Sequence, residues 1–166
     1  MAFEIERRFI VQGEEWRTFA KEPQKFQQGY LSTNFEEWVI RIRIIDNKKA
    51  EITLKAKAEF MSNYEFNYPI PLKDALLIWK LTSQRLYKER YKLTYGPGEW
   101  CVDCFQGNNH PLVLAEVEML SKEDFIKVPR WCCHEITDIK ELSNAALASY
   151  PIQSWNIKER QNFNLN

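Results

Sequence analysis

Hydrophobic and polar residues alternate through most of this chain with a period of two, the repeat of a β-strand whose faces meet different surroundings. In Glu4-Ile5-Glu6-Arg7-Arg8-Phe9, the residues Glu4, Glu6 and Arg8 share one face, and Phe3, Ile5 and Phe9 share the other. Residues 26–32 read as extended, with Gln28, Tyr30 and Ser32 on one face and Gly29 as the site of a bulge. Residues 38–45 set Arg41 and Arg43 against Ile40, Ile42 and Ile44, and residues 50–58 set Thr53, Lys55 and Lys57 against Ile52, Leu54 and Ala56. Asp46-Asn47-Lys48-Lys49 between them has the composition of a hairpin turn. Residues 64–70 place Glu65 and Asn67 opposite Tyr64, Phe66 and Tyr68, until Pro69 and Pro71 stop the run. A meander follows over 86–93, 100–105 and 112–120, with Gly96-Pro97-Gly98 and Gly107-Asn108-Asn109 at the turns. It puts Lys88, Arg90 and Lys92, then Asp103, then Glu116 and Glu118, on one face.

Helical spacing is confined to short stretches. Residues 14–21 form a short helix ended by Pro23, and 74–81 carry Ala75, Ile78 and Trp79 on one side. Ser121 and Asp124 resemble a cap over a helix reaching towards Pro129, residues 135–138 form a last strand, and 140–149 a further helix. From Trp155 the polar tail reads as a loose helix or as disordered, which divides the chain into a domain over 1–154 and a tail over 155–166. About eight strands with hairpin-sized connections make an antiparallel sheet, and closing it removes its edges. The fold class is therefore mainly β with covering helices (α+β): an eight-stranded antiparallel closed β-barrel. The covering helices need an apolar outer wall, which turns the ionic faces inward and makes the barrel a tunnel with a charged interior.

A length of 166 residues with 45% hydrophobic content suits one domain with a single enclosed core. Its 23 basic and 23 acidic residues cancel, so neither a nucleic-acid duplex nor a membrane surface is an expected partner. No apolar run approaches the length of a membrane span and the charged start is no signal peptide, so the expected location is cytoplasmic. Cys101 and Cys104 have C-x-x-C spacing, and Cys132-Cys133 precedes His134. A zinc knuckle needs a turn between its cysteines, whereas 100–105 reads as a strand that sends Cys101 and Cys104 to opposite sides. Reduced, mostly buried thiols are the expectation.

Two sets of charge would line the tunnel. The cations are Arg8, Arg41, Arg43, Lys55, Lys57, Lys88 and Arg90, and the carboxylates are Glu4, Glu6, Glu65, Asp103, Glu116 and Glu118. The alternative is a solvated outer face laced with cross-strand ion pairs. Such a ladder mixes signs within a strand, whereas Arg41 with Arg43 and Lys88 with Arg90 are purely basic and Glu116 with Glu118 purely acidic. Clustered cations call for an anion. Carboxylates at i, i+2 spacing call for a hard divalent cation. One ligand meets both demands: a phosphate chain carrying magnesium.

Taken in order, these residues resemble the CYTH domain, or triphosphate tunnel metalloenzyme, family. The resemblance runs from Glu4-x-Glu6-x-Arg8 through Gln28-Gly29-Tyr30-Leu31, Arg41-Ile42-Arg43, Thr53-Leu54-Lys55, Glu65-Phe66 and Lys88-Glu89-Arg90-Tyr91. It continues with Val102-Asp103-Cys104-Phe105, Ala115-Glu116-Val117-Glu118, Glu135-Ile136-Thr137 and Asn144. It implies an eight-stranded antiparallel tunnel in which Arg8, Arg41, Arg43, Lys55, Lys88 and Arg90 hold phosphate oxygens. Glu4, Glu6, Asp103, Glu116 and Glu118, joined by Glu65, hold Mg2+ or Mn2+. Catalysis falls to Glu4, Glu6, Arg8, Tyr30 and Glu118. Lys57 and Lys92 join the cations from alternation alone. Two departures stand out: the opening motif ends in Arg8 where the family has lysine, and the family's Arg-x-Glu-x-Glu reads Asn63-Tyr64-Glu65-Phe66-Asn67. The resemblance implies a metal-dependent hydrolase of inorganic triphosphate or a small organic triphosphate, acting as a monomer or homodimer. Its rivals are a catalytically weakened module that binds polyphosphate or nucleotide, a thiamine triphosphatase and a class IV adenylate cyclase.

Overall fold

The computed structural model describes residues 3–33, 38–58 and 62–165. Met1, Ala2, Asn166 and the expected facing of the Phe3 side chain lie outside the described residues. Nine strands form one sheet: β1 (Phe3–Val11), β2 (Gln24–Thr33), β3 (Val39–Ile45), β4 (Lys49–Lys57), β5 (Ser62–Pro69), β6 (Gln84–Lys92), β7 (Glu99–Phe105), β8 (Val113–Met119) and β9 (Cys132–Glu135). Among the described residues three α-helices accompany them, α1 (Leu72–Leu81), α2 (Asn144–Ser149) and α3 (Ile157–Gln161), besides short 3-10 turns. The strand order β5-β4-β3-β2-β6-β7-β8-β1 closes through a β1–β5 pairing, so eight antiparallel strands make a barrel. β1 spends Phe3–Ile5 on β5 and Phe9–Val11 on β9, which adds the ninth strand beside the closure. Among the described residues no helix is long and apolar enough to cross a membrane.

Alternation decides which face is which. The outer wall carries Ile5, Phe9, Trp100, Val102, Ala115 and Val117, all buried. Trp16, Leu93, Ile126 and Trp131 cover them in one apolar cluster. A second outer patch, Ile42, Ile44 and Ala50, lies under α1 through Ala75, Ile78 and Trp79. The inward face changes character along the strands. At one end it is ionic; at the other Ile10, Leu86, Phe105 and Leu114 fill the barrel and meet Leu142, Ala145 and Leu147 from α2 and the turn before it. The interior is therefore charged over part of its length only.

Several expected elements are corrected. Residues 121–128 are not helical. Asp124 Oδ2 accepts the N–H groups of Leu120 and Ser121, both at 2.9 Å. That closes the turn locally, and Ile126 then drops onto the outer wall ahead of Pro129. The last strand is β9, beginning three residues before the expected 135–138, because Cys132 to Glu135 pair with the end of β1. The expected helix over 140–149 is a 3-10 turn over Lys140–Leu142 followed by α2, because Ser143 caps α2 through the Ala146 N–H at 3.2 Å. The helix expected over 14–21 is a 3-10 turn, Glu15–Phe19. The register shift in β2 falls between Tyr30 and Ser32, not at Gly29. Gly29 instead admits α1, since a Cβ there would lie 3.3 Å from both Thr82 and Trp79 side-chain atoms. Cys101 and Cys104 do lie on a strand; all four cysteines are free, but three are only partly buried and Cys133 is exposed. The tail folds: Trp155 is buried and Asn156 with Glu159 forms a capping box on α3.

Gly98 supplies a sensitive joint. Its φ is +89°, and a Cβ there would sit 2.6 Å from Val117 Cγ2, which is itself fully buried. Gly98→Ala combines left-handed strain with overpacking, so urea denaturation should report a loss of roughly 1–3 kcal/mol. An unchanged midpoint would mean that the β6–β7 turn relaxes freely.

Candidate active site

The ionic half of the barrel encloses a cavity of about 360 Å³. β1 brings Glu4, Glu6 and Arg8 to it, β2 brings Tyr30, β3 Arg41 and Arg43, β4 Lys55 and Lys57, β5 Glu65, β6 Arg90, and β8 Glu116 and Glu118. The segment 137–145 forms another wall with Thr137, Ile139, Ser143 and Asn144. Lys88 and Asp103 are brought near but not in: their side chains are fully buried behind the lining. Lys92 is exposed and lies outside the cavity. Thr137 and Asn144 belong to the stretches that carry the resemblance, but the wall at 137–145 has no strand alternation, so nothing in the residue pattern assigns them a facing.

The charges sort into two groups. Lys55 Nζ reaches Glu4 Oε2 at 2.5 Å, Glu6 Oε1 at 3.4 Å and Glu65 Oε2 at 3.6 Å. Register explains this: Lys55 is paired with Glu65 across β4–β5, and barrel closure lays β1 alongside β5. The second group is a relay. Lys88 Nζ meets Asp103 Oδ2 at 2.5 Å, Arg90 donates to Asp103 at 2.7 and 2.6 Å, and Arg90 also pairs with Glu116. Glu116 Oε1 lies 3.6 Å from Arg8 Nε, in keeping with the direct Arg8–Glu116 register. The relay is anchored to the 137–145 wall, where Arg8 donates to the Leu142 carbonyl at 2.6 Å and Lys88 to Asn144 Oδ1 at 3.2 Å. Arg43 is held by Glu51 at 2.8 Å and by the Gln28 amide, whose other end meets the Tyr30 hydroxyl.

Both signs of charge remain under-compensated. Burial, then the neighbouring Arg41 and Arg90, bring the Arg43 guanidinium down to about 10. Burial and Arg90 likewise bring the Lys88 ammonium down to about 8. Arg41 Nε is buried with no hydrogen-bond partner. These groups call for an anion. On the other side, burial with Glu6 and Glu65 lifts Glu4 to about 7 despite Lys55. Burial lifts Glu118 too, with Glu99, Glu65 and Glu6 adding to it. Against the burial that opposes it, Arg41 and Lys55 hold Glu65 down to about 2, yet its Oε2 is buried without a hydrogen bond. Glu4 and Glu118 call for more positive charge than Lys55 supplies. Among the described residues no three acidic, His or Cys side chains converge on a ready metal cage, since the Lys55 ammonium sits among Glu4, Glu6 and Glu65. An all-oxygen donor set that crowds its own charge nevertheless fits a hard divalent ion.

Arg8 does what a lysine cannot, spanning the Leu142 carbonyl and Glu116 with one rigid fork. Arg8→Lys should therefore leave a buried carbonyl unpaired and cost about 1–3 kcal/mol in thermal unfolding, although the charge is kept. A variant as stable as the parent would show that the Leu142 link contributes nothing.

Comparison with known proteins gives one family and a consistent set of relatives. A family model described as the CYTH domain matches residues 2–149. An inorganic triphosphatase of Acetivibrio thermocellus is 33% identical over 157 residues, covering 93% of this chain and 99% of the relative. An inorganic triphosphatase of Nitrosomonas europaea is 33% identical over 153 residues, covering 87% and 96%. Among solved structures, an inorganic triphosphatase superposes with a TM-score of 0.62 at 31% identity, covering 89% of this chain and 95% of the other.

Proposed function

The chain belongs to the CYTH domain family, and we propose that it is a metal-dependent triphosphatase that hydrolyses inorganic triphosphate in the ionic cavity. The observation that carries this reading is the coexistence, within about 360 Å³, of buried cations short of anions and buried carboxylates short of cations. Its relatives at 33% identity, both inorganic triphosphatases, support the substrate. Tyr30 is the one aromatic ring among the described residues of the lining, so nothing there resembles a platform for a nucleobase or a thiamine ring.

In this reading Arg8, Arg41, Arg43, Lys55, Lys57 and Arg90 bind the phosphate oxygens. Guanidinium forks on β3 and β6 suit non-bridging oxygens in pairs and stabilise the charge that develops on the leaving phosphate. Lys88 and Asp103 act from behind, fixing the Arg90 fork through the two bonds to Asp103. Tyr30, tied to Gln28, orients the Arg43 side of the chain. Glu4, Glu6, Glu65 and Glu118 are the residues that would hold the divalent ion, and Glu116, paired with Arg90, lines the same cavity. Mg2+ or Mn2+ bound there would supply positive charge to the phosphates and a water of lowered pKa.

The deciding measurement is phosphate release from inorganic triphosphate with Mg2+ or Mn2+, against a no-enzyme blank and a chelated control. Metal-dependent turnover is expected. Triphosphate binding by calorimetry with no turnover under either metal would overturn the enzyme in favour of a capture module.

A further inference from the structure

We propose that Asn67 is a positioning residue that leaves Glu65 only one free carboxylate oxygen and so keeps the substrate-free divalent-cation site of this chain weak; the proposal rests on the triphosphatase reading above. Thr53 and Asn67 face each other across β4–β5, and Thr53 is fully buried. The Thr53 hydroxyl donates to Asn67 Oδ1 at 2.6 Å; a hydroxyl could serve either end of an amide, and it is the Glu65 carboxylate, which only accepts, that fixes which end is which. Asn67 Nδ2 is thereby turned onto Glu65 Oε1, to which it donates at 3.0 Å. Arg41 Nη2 lies 3.8 Å from the same oxygen. Glu65 Oε2 has the opposite lot: it is buried, makes no hydrogen bond, and has Lys55 Nζ at 3.6 Å.

The two oxygens of one carboxylate are thus given different tasks. Oε1 is consumed by an amide that can donate but whose nitrogen cannot ligate a metal, and Oε2 is left open towards the Glu4–Glu6 cluster around Lys55. A hard divalent ion binds best where several oxygens converge, some of them in pairs from one carboxylate. A carboxylate at position 67 could still accept from Thr53, but it would add oxygens where the amide now blocks one. Before substrate arrives, the site therefore offers a cation less than its acidic residues suggest. Phosphate oxygens make up the remainder.

The test is a titration of the full chain with Mn2+ in the absence of triphosphate, reading free Mn2+ by electron paramagnetic resonance. Asn67 is exposed, so its variants should fold. Asn67→Asp, which keeps the acceptor for Thr53 and replaces the donor, is expected to bind Mn2+ roughly tenfold more tightly than the parent. It should also show a larger Mn2+-induced rise in melting temperature. Asn67→Leu keeps the bulk and removes the donor without adding charge; it too should bind Mn2+ more tightly, because Glu65 Oε1 is released. A merely structural Asn67 predicts the reverse for leucine. Affinity of Asn67→Asp within about twofold of the parent, or weaker binding by Asn67→Leu, overturns the proposal. Phosphate release by the parent chain judges the triphosphatase reading separately, since no substrate enters this titration.

Discussion

Asp103→Asn is expected to lower the melting temperature by roughly 6–20 °C, the equivalent of about 3–5 kcal/mol in a chain of this size. Asparagine keeps the shape and removes the charge that neutralises Lys88, whose side chain is fully buried, and Arg90. Breaking a buried pair by deleting one partner leaves the other uncompensated, and here two cations lose the same partner. The loss should shrink at alkaline pH. The Lys88 ammonium is already down to about 8 from its ordinary 10.5, so the unfolded chain holds more protons between those values and stability rises with pH across that window. Losing Asp103 lowers it further and moves the window towards neutrality. Inorganic triphosphate, supplying anionic oxygens at the exposed side of Arg90, should recover part of the lost temperature. Thermal scans from pH 6 to 10, with and without triphosphate, check this; a variant within about 2 °C of the parent throughout would show that the relay is dispensable.

Lys55→Met should cost about 10²–10³-fold in kcat/KM for triphosphate hydrolysis, the range seen when one pre-placed stabilising group is removed. It should also make stability depend on divalent metal. Lys55 touches Glu4, Glu6 and Glu65 at once, and nothing else among the described residues pairs with Glu4. Glu4 already stands at about 7, above its ordinary 4.5, because of burial and the adjacent Glu6 and Glu65. A carboxyl raised in the folded state contributes stability that is full below 4.5 and is lost as pH rises through its folded value. Without Lys55 that loss deepens, so the melting temperature of the variant should fall steadily from pH 5 to 8. Mn2+ should flatten the slope by taking the ammonium's place. Parental kcat/KM in the variant, or a melting temperature indifferent to pH and metal, would remove Lys55 from the site.

Much of this was legible in the chain because alternation reports faces. Arg41 and Arg43 against Ile42 and Ile44 place one set inward and the other under α1, and the structure keeps that division. Alternation does not report depth. Ile10, Leu86, Phe105 and Leu114 share the inward face with Arg8, Lys88, Asp103 and Glu116, yet they fill the opposite end of the barrel. Long-range partnerships were equally hidden. Lys55 meets Glu4 only because closure brings the first strand beside the fifth, a register set by Phe3–Ile5 against Ser62–Tyr64. Residues 121–128 carried a cap signal, but Asp124 satisfies a turn, and the apolar wall takes Ile126 in an extended chain.

The apolar filling of one barrel end makes that end a poor route for charge. Phe105, Leu114, Leu142 and Leu147 are at most 1% exposed there, so a phosphate chain pushed between them would leave its compensating cations for packing that offers it no partner. The filled end thus sets a depth limit: anionic oxygens gain from the barrel only as far as Arg8, Arg41, Arg43 and Arg90 extend.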